Sequence, residues 1–204
     1  MSSMKQFIYK YNLEMLSVFL LAEFILTMVY RAALSPGRII TGVFALLIML
    51  HEWEELRFPG GFVELMGRKI GLDVSTIDIG KCHLPTKILI LVFAVVPMIF
   101  DRVMLIVFVP IVLMCFELFI HIMGIFIHKM KMPYTPGLVT AVVMGCWGIG
   151  SGHYLFSSDL ADMQDLLPAI PVFFLCFFAM GFSIFKLIGL DFKDVRAAML
   201  KNFK

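Results

Sequence analysis

The chain is short of charge, short of paired cysteines and without the motifs of familiar soluble chemistry. Only 16% of its 204 residues are charged, against about 25% in soluble domains. The four cysteines, Cys82, Cys115, Cys146 and Cys176, show no CxxC spacing, which excludes a disulfide framework or a zinc ribbon. There is no Gly-rich phosphate loop and no GxSxG elbow, so the usual nucleotide-binding and serine-hydrolase signatures are missing. The HExxH helix of zincins is also absent, because Glu55 stands where its second histidine would be. A net charge of +2 with no basic cluster among aromatics argues against a nucleic-acid partner.

What the chain does have is apolar sequence. Hydrophobic residues make up 61%, including 21 Phe and 16 Met, where soluble domains hold about 45–50%. That is the composition of a polytopic membrane protein whose partner is the lipid bilayer. A span needs about 17–25 residues to cross about 30 Å of hydrocarbon. Cutting the apolar runs at charges, prolines and glycines predicts six spans, at 13–34, 39–57, 86–100, 103–128, 137–156 and 168–189. The expected fold is an all-α membrane bundle forming a single domain over 1–204. Residues 62–85 are expected as an interfacial or cytoplasmic loop with an amphipathic first part, and 190–204 as a cytoplasmic amphipathic tail. The first apolar run contains Glu14 and Glu23 and lacks a small-residue cleavage site, so it reads as a retained span rather than a signal peptide. With these cuts, 14 of the 17 Lys and Arg fall on one side of the membrane; only Arg31, Arg38 and Arg102 fall on the other. The positive-inside rule then puts both termini in the cytoplasm.

Ionisable groups inside spans are costly, at least about 2.5–3.5 kcal/mol each near a helix centre, and here they are organised. In the second span the stretch HEWEE places His51, Glu54 and Glu55 at i, i+3 and i+4, so both glutamates flank the histidine on one face. Glu52 is expected to point away, toward water or headgroups. In the fourth span Glu117, His121 and His128 stand at i, i+4 and i+11, within about 40° of one another on a helical wheel. His51 lies about 9 Å and His121 about 12 Å from the same cytoplasmic face. Glu23 reaches a similar depth and is a further candidate. His83 is expected on a surface loop, His153 too far outward to join, Glu14 near the cytoplasmic surface in solvent, and Asp101-Arg102 in a turn with a local ion pair.

Imidazole and carboxylate donors converging in a bundle suit a divalent metal, zinc or iron, as one or two ions. The expected ligands are His51, Glu55, Glu117, His121 and His128, with Glu54 as general base or bridging ligand. The competing reading is a hydrogen-bonded polar network that only fixes helix packing, and proton transfer is a third.

HEWEE at 51–55, a second histidine-bearing helix and YTPG at 134–137 together resemble the HXXEE-motif family of integral membrane proteins, with HxxEE and YxPG in the same order. The resemblance covers most of the chain through about residue 150. It marks His51, Glu54, Glu55, Tyr134, Pro136 and Gly137, with His121 or His128 as the further histidine, and implies no particular activity. Tyr134 either hydrogen-bonds a ligand in a catalytic role or anchors the chain at the interface. The leading expectation is a metal-dependent membrane enzyme, a hydrolase of a lipid-like or membrane-bound substrate. A metal-ion or proton transporter, an iron oxygenase and a non-catalytic bundle are the alternatives.

Overall fold

In a computed structural model, the structure describes residues 3–70, 74–189 and 193; the tail expected over 190–204 otherwise lies outside the described residues. The described residues form helices, short 3-10 turns and loops, without a strand. Seven α-helices follow in order: α1 Ser3–Tyr30, α2 Pro36–Leu56, α3 Phe62–Ile70, α4 Ile79–Ile99, α5 Met104–Ile127, α6 Leu138–Ser157 and α7 Met163–Leu187. Five of them, α1, α4, α5, α6 and α7, are long and apolar enough to cross a membrane. These are the helices of a multi-pass membrane protein. The middle of α7 turns Val172, Leu175, Phe178 and Phe182 outward, as a lipid-facing surface does.

The sixth long helix, α2, is the polar one, and its position explains why it is tolerated. It packs against α1, α3, α4, α5 and α6, so protein rather than lipid surrounds it. Ser35 starts it by accepting a hydrogen bond from the Arg38 amide at 3.1 Å, with Pro36 in the first turn, where a proline costs no hydrogen bond. The Ser35 hydroxyl also donates to Asp101 at 2.5 Å, tying the start of α2 to the α4–α5 turn; Asp101 was expected in a local pair with Arg102.

Outside the His51–Glu55 stretch, the ionisable groups that α2 carries into the bundle are matched by its neighbours. Arg38 pairs with Glu23 of α1 at 2.9 Å, so Glu23 is held well away from His51 by its own partner. Glu52 and Lys87 are both buried and paired with each other. That overturns the expectation that Glu52 faces water, and it explains why α4 begins at Ile79 rather than 86. Lys87 reads in sequence as the charge that ends a loop, yet it lies within the helix, neutralised from α2. The true start of α4 is set by Asp78, whose carboxylate caps the Lys81 amide at 3.1 Å. A similar device starts α7 five residues before the expected 168: Asp162 and Asp165 form a reciprocal capping box, and Pro168 falls inside the helix rather than at its boundary.

α1 is also longer than expected, reaching back to Ser3 through a kink at Tyr11 (φ −117°, ψ 17°). The Asn12 amide bonds the carbonyls of Tyr9 at 3.0 Å and Gly80 at 2.8 Å, which fastens the kink to the start of α4. α5 and α6 approach closely because Gly145 presents no Cβ; one would stand 2.4 Å from Leu118.

Removing one half of the buried pair is the test of this packing. Lys87→Met strands Glu52 and is expected to cost about 3–5 kcal/mol, measured by unfolding the purified protein in mixed micelles. The double variant Lys87→Met, Glu52→Leu is expected to recover most of that loss.

Candidate metal centre

α2 ends at the same end of the bundle as α5, and α6 begins there. The last two turns of α2 therefore bring His51 and Glu55 against Glu117 and His121 of α5. One ligand atom from each lies within 4.8 Å of all the others. His51 Nε2 stands 3.6 Å from Glu55 Oε1 and 3.7 Å from Glu117 Oε2. His121 Nε2 stands 3.2 Å from Glu55 Oε1 and 3.8 Å from Glu117 Oε2. The two imidazoles meet edge to face at 5.0 Å, and Phe62 of α3 covers His121 at 5.3 Å. Both histidines are buried, at 2% and 1% exposure, and His121 Nε2 has no hydrogen-bond partner.

Three of these separations are long for hydrogen bonds, and at the fourth, 3.2 Å, His121 Nε2 makes none; the set suits a cation. Metal bonds of about 2.0–2.1 Å in tetrahedral geometry set the ligand atoms about 3.3–3.4 Å apart. The four histidine–carboxylate edges, 3.2 to 3.8 Å, bracket that value, and every pair of ligand atoms lies within 4.8 Å. The arrangement can hold one divalent ion between two helices, with a His₂Glu₂ donor set that neutralises its charge.

Residues 42–147 match the family described as proteins of unknown function with an HXXEE motif. The chain belongs to the HXXEE family. No curated protein and no solved structure matches it. The HXXEE match takes in all four residues of the cluster and the loop that follows α5.

Within HXXEE the two glutamates of the motif have different surroundings. Glu55 faces the cluster. Glu54, expected as general base or bridging ligand, has its two oxygens taken: Oε1 accepts from Tyr134 OH at 3.0 Å and the Val139 amide at 3.1 Å. Oε2 accepts from the Thr140 amide at 2.8 Å and its hydroxyl at 2.5 Å. Four donors match the four lone-pair sites of a carboxylate. Glu54 thereby caps α6 from another helix, filling the role that the N-cap Gly137, having no side chain, leaves open.

The end of the loop before α6 is fitted to the site through Tyr134, Thr135 and Gly137. Tyr134 reaches Glu54, and burial together with that bond pushes its phenol up to about 12, so it stays a donor at neutral pH. Thr135 lies 3.0 Å from His121 Nδ1 and Thr140 lies 3.0 Å from His51 Nδ1. Gly137 has φ +95°; a Cβ there would stand 2.6 Å from His121 Cε1 and 2.8 Å from Glu55 Cγ. Sequence reasoning missed both threonines, since nothing in an apolar helix start marks a hydroxyl as a partner of a histidine 14 or 89 positions away.

His128 does not join the four. It caps the C-terminus of α5, about 10 Å along the helix from His121. His83, expected on a surface loop, lies in α4 and lines a cavity of about 930 Å³. Glu55 lines the same cavity, together with Tyr9, Lys10, Glu14, Trp53 and Arg57, so the cluster borders on it through one ligand. Glu14 pairs there with Arg57 at 3.1 Å. His153 lines a separate apolar groove with Phe108, Phe156 and Phe174.

Two substitutions test this geometry. Gly137→Ala is expected to displace His121 and Glu55 and to lower zinc affinity at least tenfold, read by competition with a chelating dye. Tyr134→Phe removes one of four bonds to Glu54 and is expected to cost about 1 kcal/mol of stability with zinc binding retained; loss of zinc would give the phenol a direct place at the ion.

Proposed function

We propose that the protein is a membrane-embedded, metal-dependent hydrolase acting on an amphiphilic, lipid-like or membrane-bound ester or amide. The observation that carries this reading is the convergence of His51, Glu55, Glu117 and His121 within 4.8 Å, with each histidine nitrogen 3.2 to 3.8 Å from two carboxylates. His51, His121 and Glu117 are the lasting ligands, with zinc the favoured ion, and His₂Glu is a donor set of catalytic zinc. When bound, such an ion polarises a carbonyl and lowers the pKa of a coordinated water to about 7.

Glu55 belongs both to the cluster and to the wall of the cavity. It is the carboxylate that takes a proton from the attacking water and passes it to the leaving oxygen or nitrogen. Glu54 holds the fold of the site instead, since its lone pairs are engaged. The cavity sits beside α3, between the start of α1 and the end of α2, where a headgroup can enter while its apolar part stays in the bilayer. With α2 as a sixth span and the basic residues on the cytoplasmic side, the site opens to the inner leaflet and both termini lie in the cytoplasm.

Metal content is the direct test. Purified wild type and His128→Ala are expected to carry one zinc per chain, and His51→Ala and His121→Ala none, by elemental analysis. Glu55→Gln is expected to retain the ion yet lose about 10²–10⁴-fold in hydrolysis of a fluorogenic acyl lipid. A folded wild type that takes up no zinc, iron or manganese would overturn the metal reading, and stoichiometric iron would move the chemistry to oxygen activation.

A further inference from the structure

We propose that Thr135 and Thr140 are positioning residues that hold His121 and His51 as Nδ1–H tautomers, so that both Nε2 lone pairs converge on one point, and that Glu54 acts on His51 through Thr140. The proposal deepens the metal reading above by naming the ligating atoms and what aims them.

The Thr140 hydroxyl has three polar neighbours: Glu54 Oε2 at 2.5 Å, the Gly137 carbonyl at 3.1 Å and His51 Nδ1 at 3.0 Å. The carboxylate and the carbonyl only accept, so the single hydroxyl proton goes to one of them, and the shortest contact is with Glu54. His51 then meets an oxygen lone pair and must donate, which places its proton on Nδ1. Thr135 has two polar neighbours, the His121 carbonyl at 3.3 Å and His121 Nδ1 at 3.0 Å. Its one hydroxyl proton can serve only one of them, so both contacts are hydrogen bonds only if the hydroxyl donates to the carbonyl and Nδ1 carries a proton.

The far side of each ring agrees. A proton on His51 Nε2 would find its carboxylates at 3.6 and 3.7 Å, beyond a hydrogen bond. His121 Nε2 is buried without a hydrogen-bond partner, so a proton there would be an orphaned donor at a cost of about 1–3 kcal/mol. With the protons on Nδ1, both donors are satisfied and both Nε2 atoms are free to ligate. Metal-ligating histidines are generally fixed in this way by a partner on the other ring nitrogen. Here the partners are two hydroxyls five residues apart, one just before α6 and one in its first turn. One of them is backed by a glutamate of the HXXEE motif.

The test reads the tautomer without any metal. Long-range proton–nitrogen correlation spectra of the metal-free, histidine-labelled protein in micelles, followed through a pH titration and read where the rings are neutral, are expected to show His51 and His121 as Nδ1–H forms. Thr140→Val is expected to move His51 to the Nε2–H form and leave His121 unchanged; Thr135→Val does the reverse. Zinc affinity is expected to fall about 10–100-fold in each valine variant and to return in the serine variants, which restore the hydroxyl. Nε2–H forms in the wild type, or valine variants that keep both tautomer and zinc affinity, would overturn the proposal. Nδ1–H forms in a wild type that binds no metal would support the threonine assignment and sink only the metal reading.

Discussion

The carboxylate of Glu54 joins the end of α2 to the beginning of α6, and the site depends on that junction. Helix starts leave amide donors without partners. α6 begins on a left-handed glycine that has no side chain to offer. Its donors are met from across the interface, at the Val139 and Thr140 amides. Because Glu54 stands one helical turn from His51 and beside Glu55, fixing α6 also fixes what the loop before α6 presents to both. The capping charge and the ligand helix are one piece.

The same logic governs the rest of the core. A polar helix is acceptable inside a membrane bundle when neighbouring helices supply opposite charges, and α2 receives Glu23 from α1 and Lys87 from α4. The Arg38 pair lies about 20 Å along α2 from His51, and Glu52 points to another side of the helix from His51 and Glu55. His51, Glu55, Glu117 and His121 are thus the group whose mutual contacts are spaced for something placed between them. Two acids facing two imidazoles at 3.2 to 3.8 Å are better matched to an ion than to one another.

Much of this was legible beforehand, for identifiable reasons. Helical periodicity put His51 beside Glu55 and Glu117 beside His121, and apolar length put the two pairs at one depth. What stayed hidden were the interactions between helices. Lys87 looked like a boundary because a lone lysine inside a span is expensive, and its partner Glu52 was a residue expected to face outward. Pro168 looked like a helix start although the capping aspartates lay earlier. His128 shares a helical stripe with His121 but comes two turns later, where the helix has ended. The threonines carry no signal at all until the fold sets them against the imidazoles.

Trp53 is one of two tryptophans in the chain. Its ring lines the cavity that Glu55 also borders, and its indole nitrogen donates to Ser17 at 2.7 Å. The other, Trp147, is turned toward the Ile40 carbonyl at 3.3 Å in a different part of the bundle. The protein therefore carries its own optical probe: one indole whose emission senses what enters the chamber, and a second, remote from it, that serves as an internal standard.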